Sequence, residues 1–251
     1  MNHPTPLTLA EQLAAAQTWW RDAGVYFIFH DAPRPWLADD APSAEQALAP
    51  AGSAPVSAPP PEPRIGGDSA LWPQDLAAFQ SWWLQEPSLD FGGMHPRVAP
   101  RGRAAASLMV LVPMPEEGDE TRLLSGPEGR LVASLTRSME LDPSEVYVAA
   151  ALPRRTLLPD WERLRSGGLG EVLLHHIALA SPKRVIVLGT RVLPLLGHDP
   201  AQAAPGVSQL PIQEGQIPML ASYAPERLLE SARQRQALWQ RWLDWTEGAP
   251  A

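Results

Sequence analysis

Histidine is the first place to look for metal or acid–base chemistry in this 251-residue chain, which carries six histidines and no cysteine. His175 and His176 are adjacent in a stretch of helical spacing. Helix neighbours at i and i+1 point about 100° apart, whereas a metal pair wants i and i+4. No metal site is expected there; one ring should be half-buried and the other solvated. His30, His95 and His198 stand alone, without serine or cysteine nucleophile context. The Ser138 to Ser144 region holds no G-x-S-x-G elbow. No G-x-G-x-x-G or Walker loop is present, so neither a nucleotide nor any other cofactor is expected.

Cations and aromatics offer binding chemistry instead. The run Met94-His-Pro-Arg97-Val-Ala-Pro-Arg101-Gly-Arg103 is the one basic cluster, and Arg101 and Arg103 are its candidates for touching phosphate; a solvated loop is the plainer reading. Arg154 and Arg155 follow a strand of parallel type, at the strand end where such sheets bind ligands, and form the preferred anion spot. The chain has ten Trp against three Tyr and four Phe. Trp82, Trp83, Trp239, Trp242 and Trp245 recur at helical spacing, which favours packing over base-stacking platforms. Trp19, Trp20, Phe27 and Trp36 lie on a segment too short to own a core, and are the candidates for a partner contact.

Composition bounds the rest. Absence of cysteine excludes disulfides, thiolate zinc and cysteine-ligated iron–sulfur clusters. No apolar run approaches the ~20 residues of a membrane helix, and Met1 to Gln12 lacks the basic and apolar regions of a secretory signal, so a cytoplasmic protein with no membrane partner is expected. The net charge is −8, and −3 of it falls on residues 71–251. Extended duplex binding wants a basic balance, so any DNA contact must be local and weak.

The chain divides into three. Residues 1–37 form an aromatic docking segment: Leu9, Leu13 and Ala16 ahead of Trp19 and Trp20 predict a helix over about 8–23, Gly24 ends it, and Val25 to Phe29 reads as a strand. Such a segment must dock on its own domain or on a partner. Residues 38–68 are a disordered Pro/Ala-rich linker whose only apolar side chains beyond alanine are Leu48, Val56 and Ile65. Residues 69–247 alternate helix and strand. Helices are predicted around Leu76 to Leu84, from Ser125-Gly-Pro127-Glu128 through Met139, over 171–180, over 190–196 and from Pro225 to the end. Strands are predicted at Ser107 to Val112, Val146 to Leu152, Val185 to Gly189 and Ile217 to Ser222. This order predicts an α/β fold, a three-layer α/β/α sandwich around a mostly parallel sheet.

Five segments carry a family resemblance: Leu111-Val-Pro-Met-Pro-Glu116, Leu123-Leu-Ser-Gly-Pro-Glu-Gly129, Leu141-Asp-Pro-Ser-Glu-Val-Tyr-Val-Ala-Ala150, Pro182-Lys-Arg-Val-Ile-Val-Leu-Gly189 and Tyr223-Ala-Pro-Glu-Arg-Leu-Leu229. In order and spacing they resemble the uracil-DNA glycosylase superfamily, nearest its family 4 branch, over residues 105–245. Such enzymes flip the base and read its Watson–Crick edge. The resemblance implies where the chemistry would sit. The base-reading asparagine of the family is replaced by Ala150, the stacking aromatic by Leu124, the acidic residue of the first loop by Pro113 and the histidine that stabilises the leaving uracil by Ala224. Arg154 and approximately Leu169 stand where two cluster cysteines are expected. Losing one oxyanion-type donor alone costs about 10²–10³ in rate. Glu116, Glu117 and Asp119 are nearby carboxylates that could substitute. Gly126 and Gly129 look like backbone requirements at the helix start.

A looser resemblance joins the N-terminal segment, Trp19 through Gly24 to Pro35, to the psi subunit of bacterial DNA polymerase III, a non-enzyme that docks on the clamp loader. Leu131 to Leu141, Asp142-Pro143 and Ala237-Leu-Trp239-Gln share that likeness. The resemblances imply a catalytically degenerate glycosylase-fold protein, a pseudoenzyme acting as an adaptor in DNA replication or repair with a clamp loader-type partner. The alternatives are an active family 4-like glycosylase using Glu116, Glu117 or Asp119, and a weak single-strand binder without a partner.

Overall fold

The computed structural model describes residues 8–22, 64–212 and 215–247. The chain divides into two compact units, Met1–Ala58 and Pro59–Ala251. In the first, helix α1 spans Leu9–Asp22. A capping box starts it: the Thr8 N–H donates to Glu11 Oε2 (2.8 Å) and the Glu11 N–H donates back to Thr8 Oγ1 (3.4 Å). Leu9, Leu13, Trp19 and Trp20 are all exposed, and the two indoles meet edge to face with centroids 4.9 Å apart. The strand expected at Val25 to Phe29, the partner-contact residues Phe27 and Trp36, and the linker up to residue 63 lie outside the described residues.

The second unit is built on a five-stranded sheet of order β2-β1-β3-β5-β4. Its strands are β1 (Leu108–Val112), β2 (Val146–Ala150), β3 (Val185–Leu188), β4 (Gly206–Ile212) and β5 (Gly215–Ser222). The first three and β5 run parallel, with Val110 opposite both Val148 and Ile186, and Ile186 opposite Leu220. Every residue of β1, β2 and β3 is buried, as a strand covered on both faces requires. Alternate side chains feed two cores. Met109, Leu111, Tyr147, Ala149, Val185 and Val187 face one that includes Phe79 and Trp83 from α2 (Leu76–Gln85), Leu164 from α4 (Trp161–Ser166), and Leu173 and Ile177 from α5 (Leu169–Ala180). Leu108, Val110, Val112, Val148 and Ile186 face the other, which includes Val132 from α3 (Pro127–Ser138), Leu228 from α6 (Pro225–Glu230), and Leu238 and Trp242 from α7 (Ala232–Glu247). Helices thus cover both faces of a mostly parallel sheet.

Several boundaries differ from expectation. Residues 64–68, which precede the expected domain start at Ser69, already pack on this unit: Ile65 is 3% exposed, its N–H donates to the Gly167 carbonyl (2.8 Å), and Trp72 Nε1 donates to the Gly66 carbonyl (2.7 Å). A lone isoleucine in a Pro/Ala tract gives no periodicity from which to read this. The 190–196 helix is a 3₁₀ helix holding Pro194. The last helix breaks at Ser231, whose backbone is extended, into α6 and α7. Two elements lack a sequence signal: α4, six residues with one buried side chain, and β4, an edge strand antiparallel to β5 that buries only Leu210. A one-sided edge strand shows no continuous apolar run.

Candidate functional site

In this strand order the chain leaves β1 for β2 on one side and later crosses to β3 on the other. Loops diverge where β1 and β3 end, the place where open parallel sheets bind ligands. Here the place is filled by apolar groups. A Cβ on Gly189 would lie 2.5 Å from Pro113 Cγ and 3.9 Å from Ala224 Cβ, so Pro113 and Ala224 converge over a glycine that can hold φ +141°. Leu124 and Ala150 are both buried in the core beneath α3. Two of the four positions picked out by resemblance therefore meet, and none of the four offers a polar side chain.

The loop from β1 to α3 carries the carboxylates. Glu116 is buried and accepts from the N–H groups of Gly126 (2.9 Å), Glu128 (2.8 Å) and Gly129 (3.3 Å), at the start of α3. Those donors are the orphans of a helix N-terminus, and the carboxylate also meets the positive end of the helix dipole. Asp119, equally buried, accepts from the N–H groups of Glu116 (2.9 Å), Leu124 (2.7 Å) and Ser125 (2.8 Å) and from Ser125 Oγ (2.6 Å). Both side chains are committed to holding the loop. The backbone leaves no room for change: a Cβ on Gly129 would stand 1.9 Å from the Leu124 carbonyl oxygen, and one on Gly126 2.5 Å from Glu116 Oε1. Glu117 is 84% exposed and sits 3.9 Å from Arg155.

Sequence reasoning missed Glu128 as a titrating group. Burial pushes its carboxyl up to about 8; Glu226, Glu116 and Asp119 add to the rise, and Arg155 opposes it. Near neutral pH it is a protonated acid, able to donate a proton or a hydrogen bond at the sheet's carboxyl end. Only its place in the helix-start motif was visible, because the shift comes from neighbours as distant in sequence as Glu226.

The arginines separate by role. Arg154 Nε donates to Asp90 Oδ2 (2.8 Å) and its Nη1 to the carbonyls of Gly93 (3.0 Å) and His95 (3.0 Å). Arg97 Nε donates to the same Asp90 oxygen (2.9 Å). Burial alone would raise the Asp90 carboxyl; the hydrogen bonds from Arg97 and Arg154 outweigh it and hold it below the usual range. Arg154 thus ties a loop down, while Arg155, also half-buried, faces the exposed Glu117 carboxylate. Arg103 binds the Ser144 carbonyl (3.0 Å) and Glu145 (3.1 Å). Arg101 donates from Nε to the Leu123 carbonyl (3.0 Å) and is half-buried beside α3.

His175 and His176 are structural. His176 is wholly buried, stacked on Phe79 at 4.4 Å, and shares a 2.8 Å hydrogen bond with Tyr147 Oη. Burial drives its pKa down to about 3, helped by His175, so it stays neutral. His175 is half-buried with Nε2 2.7 Å from the Pro73 carbonyl oxygen. Neither ring is solvated as expected: His175 is the half-buried one and His176 is fully buried. Trp83 and Trp242 are buried, with Trp82, Trp239 and Trp245 packed against the two cores, as their spacing predicts. No family model matches the chain, and neither does any curated protein.

Proposed function

We propose that this protein is a non-catalytic, glycosylase-like α/β adaptor of the DNA replication or repair machinery, whose N-terminal segment docks on a clamp loader-type partner. The observation that carries the reading is α1. Leu9, Leu13, Ala16 and Trp20 follow one another at helical spacing, and all are exposed, with Trp19 beside them. An amphipathic helix of this kind is the form that lies in a partner's groove, with the large aromatics as anchors. The apolar filling over Gly189 and the commitment of Glu116 and Asp119 to backbone N–H groups support the absence of catalysis.

A second reading, an active DNA glycosylase, rests on Glu128 as a protonated acid near Arg155 and on exposed Glu117. Affinity capture with the full chain and with its Trp19→Ala/Trp20→Ala variant separates the two. Adaptor function predicts replication or repair proteins, clamp-loader subunits among them, recovered by the wild type and absent with the variant at unchanged melting temperature. Uracil release from single-stranded DNA at stoichiometric protein, abolished by Glu117→Ala or Glu128→Gln, favours the enzyme and overturns the adaptor.

A further inference from the structure

Between α3 and the outer edge of β2 lies a pocket of about 410 Å³ that the docking reading does not use. Its floor is apolar: Leu124, Val132, Val146 and Val148, all buried. Its rim holds four arginines, Arg101, Arg122, Arg130 and Arg137, and no carboxylate lines it. This is unexpected in a chain with 28 acidic and 20 basic residues. Among the described residues Arg122, Arg130 and Arg137 have no ion-pair partner, whereas Arg97, Arg103 and Arg154 all do. Arg101 is held in place by the Leu123 carbonyl. The Asp119 carboxylate offsets part of the repulsion between Arg101 and Arg122, but Arg130 and Arg137 add two more like charges, which an anion would draw together.

We propose that this pocket binds single-stranded nucleic acid, with backbone phosphates on the arginine rim and an unpaired base on the apolar floor. Two features select that ligand. Arg130 and Arg137 stand seven residues apart on α3, about 10.5 Å along the axis, which suits repeated phosphates better than one. A concave apolar floor of this volume accepts a flat ring, and only an unpaired base can be splayed out to enter it. The rim cations are arginines, as are all but one of the chain's 20 basic residues, and a planar guanidinium can both fork onto phosphate and stack on bases. The site lies on the second unit and is independent of α1 docking.

Fluorescence anisotropy of the full chain with labelled dT10 and rU10 tests this, with pyrophosphate and a doubly phosphorylated peptide as competitors. Arg130→Glu/Arg137→Glu changes exposed side chains only, and Arg122→Glu is a second, independent variant. Arg191→Glu/Arg233→Glu makes the same charge change at exposed positions outside the pocket. The proposal expects saturable strand binding, weakened at least about tenfold by either pocket variant and less than twofold by the control. The log–log salt slope should flatten by about 1.4 in the double pocket variant, at about 0.7 for each phosphate no longer neutralised. Whichever of dT10 and rU10 binds tighter identifies the strand. Equal weakening by pocket and control variants, no saturation below about 1 mM, or tighter binding of pyrophosphate or the phosphopeptide overturns it.

Discussion

Glu128 and His176 pull stability in opposite directions with pH. The Glu128 carboxyl is raised from an ordinary 4.5 to about 8 in the folded chain. Its contribution is full below about 4.5 and is lost as pH rises through about 8, because the folded state must then ionise a buried acid. The His176 imidazole is lowered from 6.5 to about 3. Its contribution is full above about 6.5 and is lost as pH falls toward 3, because the unfolded state takes up a proton that the folded state refuses. Stability should therefore fall below about pH 4.5 and again above about pH 6.5, the two slopes offsetting each other between. Glu128→Gln removes the alkaline limb: the drop in melting temperature between pH 6 and pH 9 should shrink against wild type in a thermal-shift series. A variant that keeps the full drop would show that Glu128 ionises freely.

Elements owe their positions to a few buried contacts. The loop into α3 rests on two carboxylates that accept six backbone N–H bonds between them. Leaving one such buried donor unpaired costs about 1–3 kcal/mol. The same reasoning applies to residues 64–68. Ile65 is buried and the Gly66 carbonyl receives the Trp72 indole. Burying an isoleucine is worth about 1.5–3 kcal/mol and a hydrogen bond about 1. A chain starting at Pro59 should therefore exceed one starting at Ser69 by about 2–4 kcal/mol in urea unfolding. Equal midpoints and slopes would mean that residues 64–68 add nothing to the fold.

At the scale of the molecule, one sheet separates two cores. Phe79 belongs to one and Leu228 to the other, and both are fully buried. Because β1, β2 and β3 contribute alternate side chains to both, neither core can be lost alone. Phe79→Ala and Leu228→Ala should each cost about 2–5 kcal/mol, with circular dichroism and tryptophan fluorescence midpoints still coincident. Separate transitions in either variant would show that the faces unfold independently. Among the described residues no helix is long and apolar enough to cross a membrane.

Strands β1, β2 and β3 were legible in the residues because burial on both faces writes an unbroken apolar run. The start of α3 was legible too: Gly126 and Gly129 stand where a Cβ would strike the loop. β4 and α4 were not, since each buries a single side chain and leaves no period to read. The site was least legible, because its chemistry depends on who sits beside whom. Four candidate arginines are alike in sequence, yet Asp90 claims Arg154, Glu145 claims Arg103, Arg155 faces Glu117, and Arg101 joins three arginines that the run around it does not contain. Glu116 and Asp119 read as available carboxylates until the α3 backbone takes them up. Local pattern decides which segments become buried strands, because burial accumulates residue by residue along the chain. Pairing of charges and backbone donors is decided by neighbours tens of residues away, and only the folded chain brings those together.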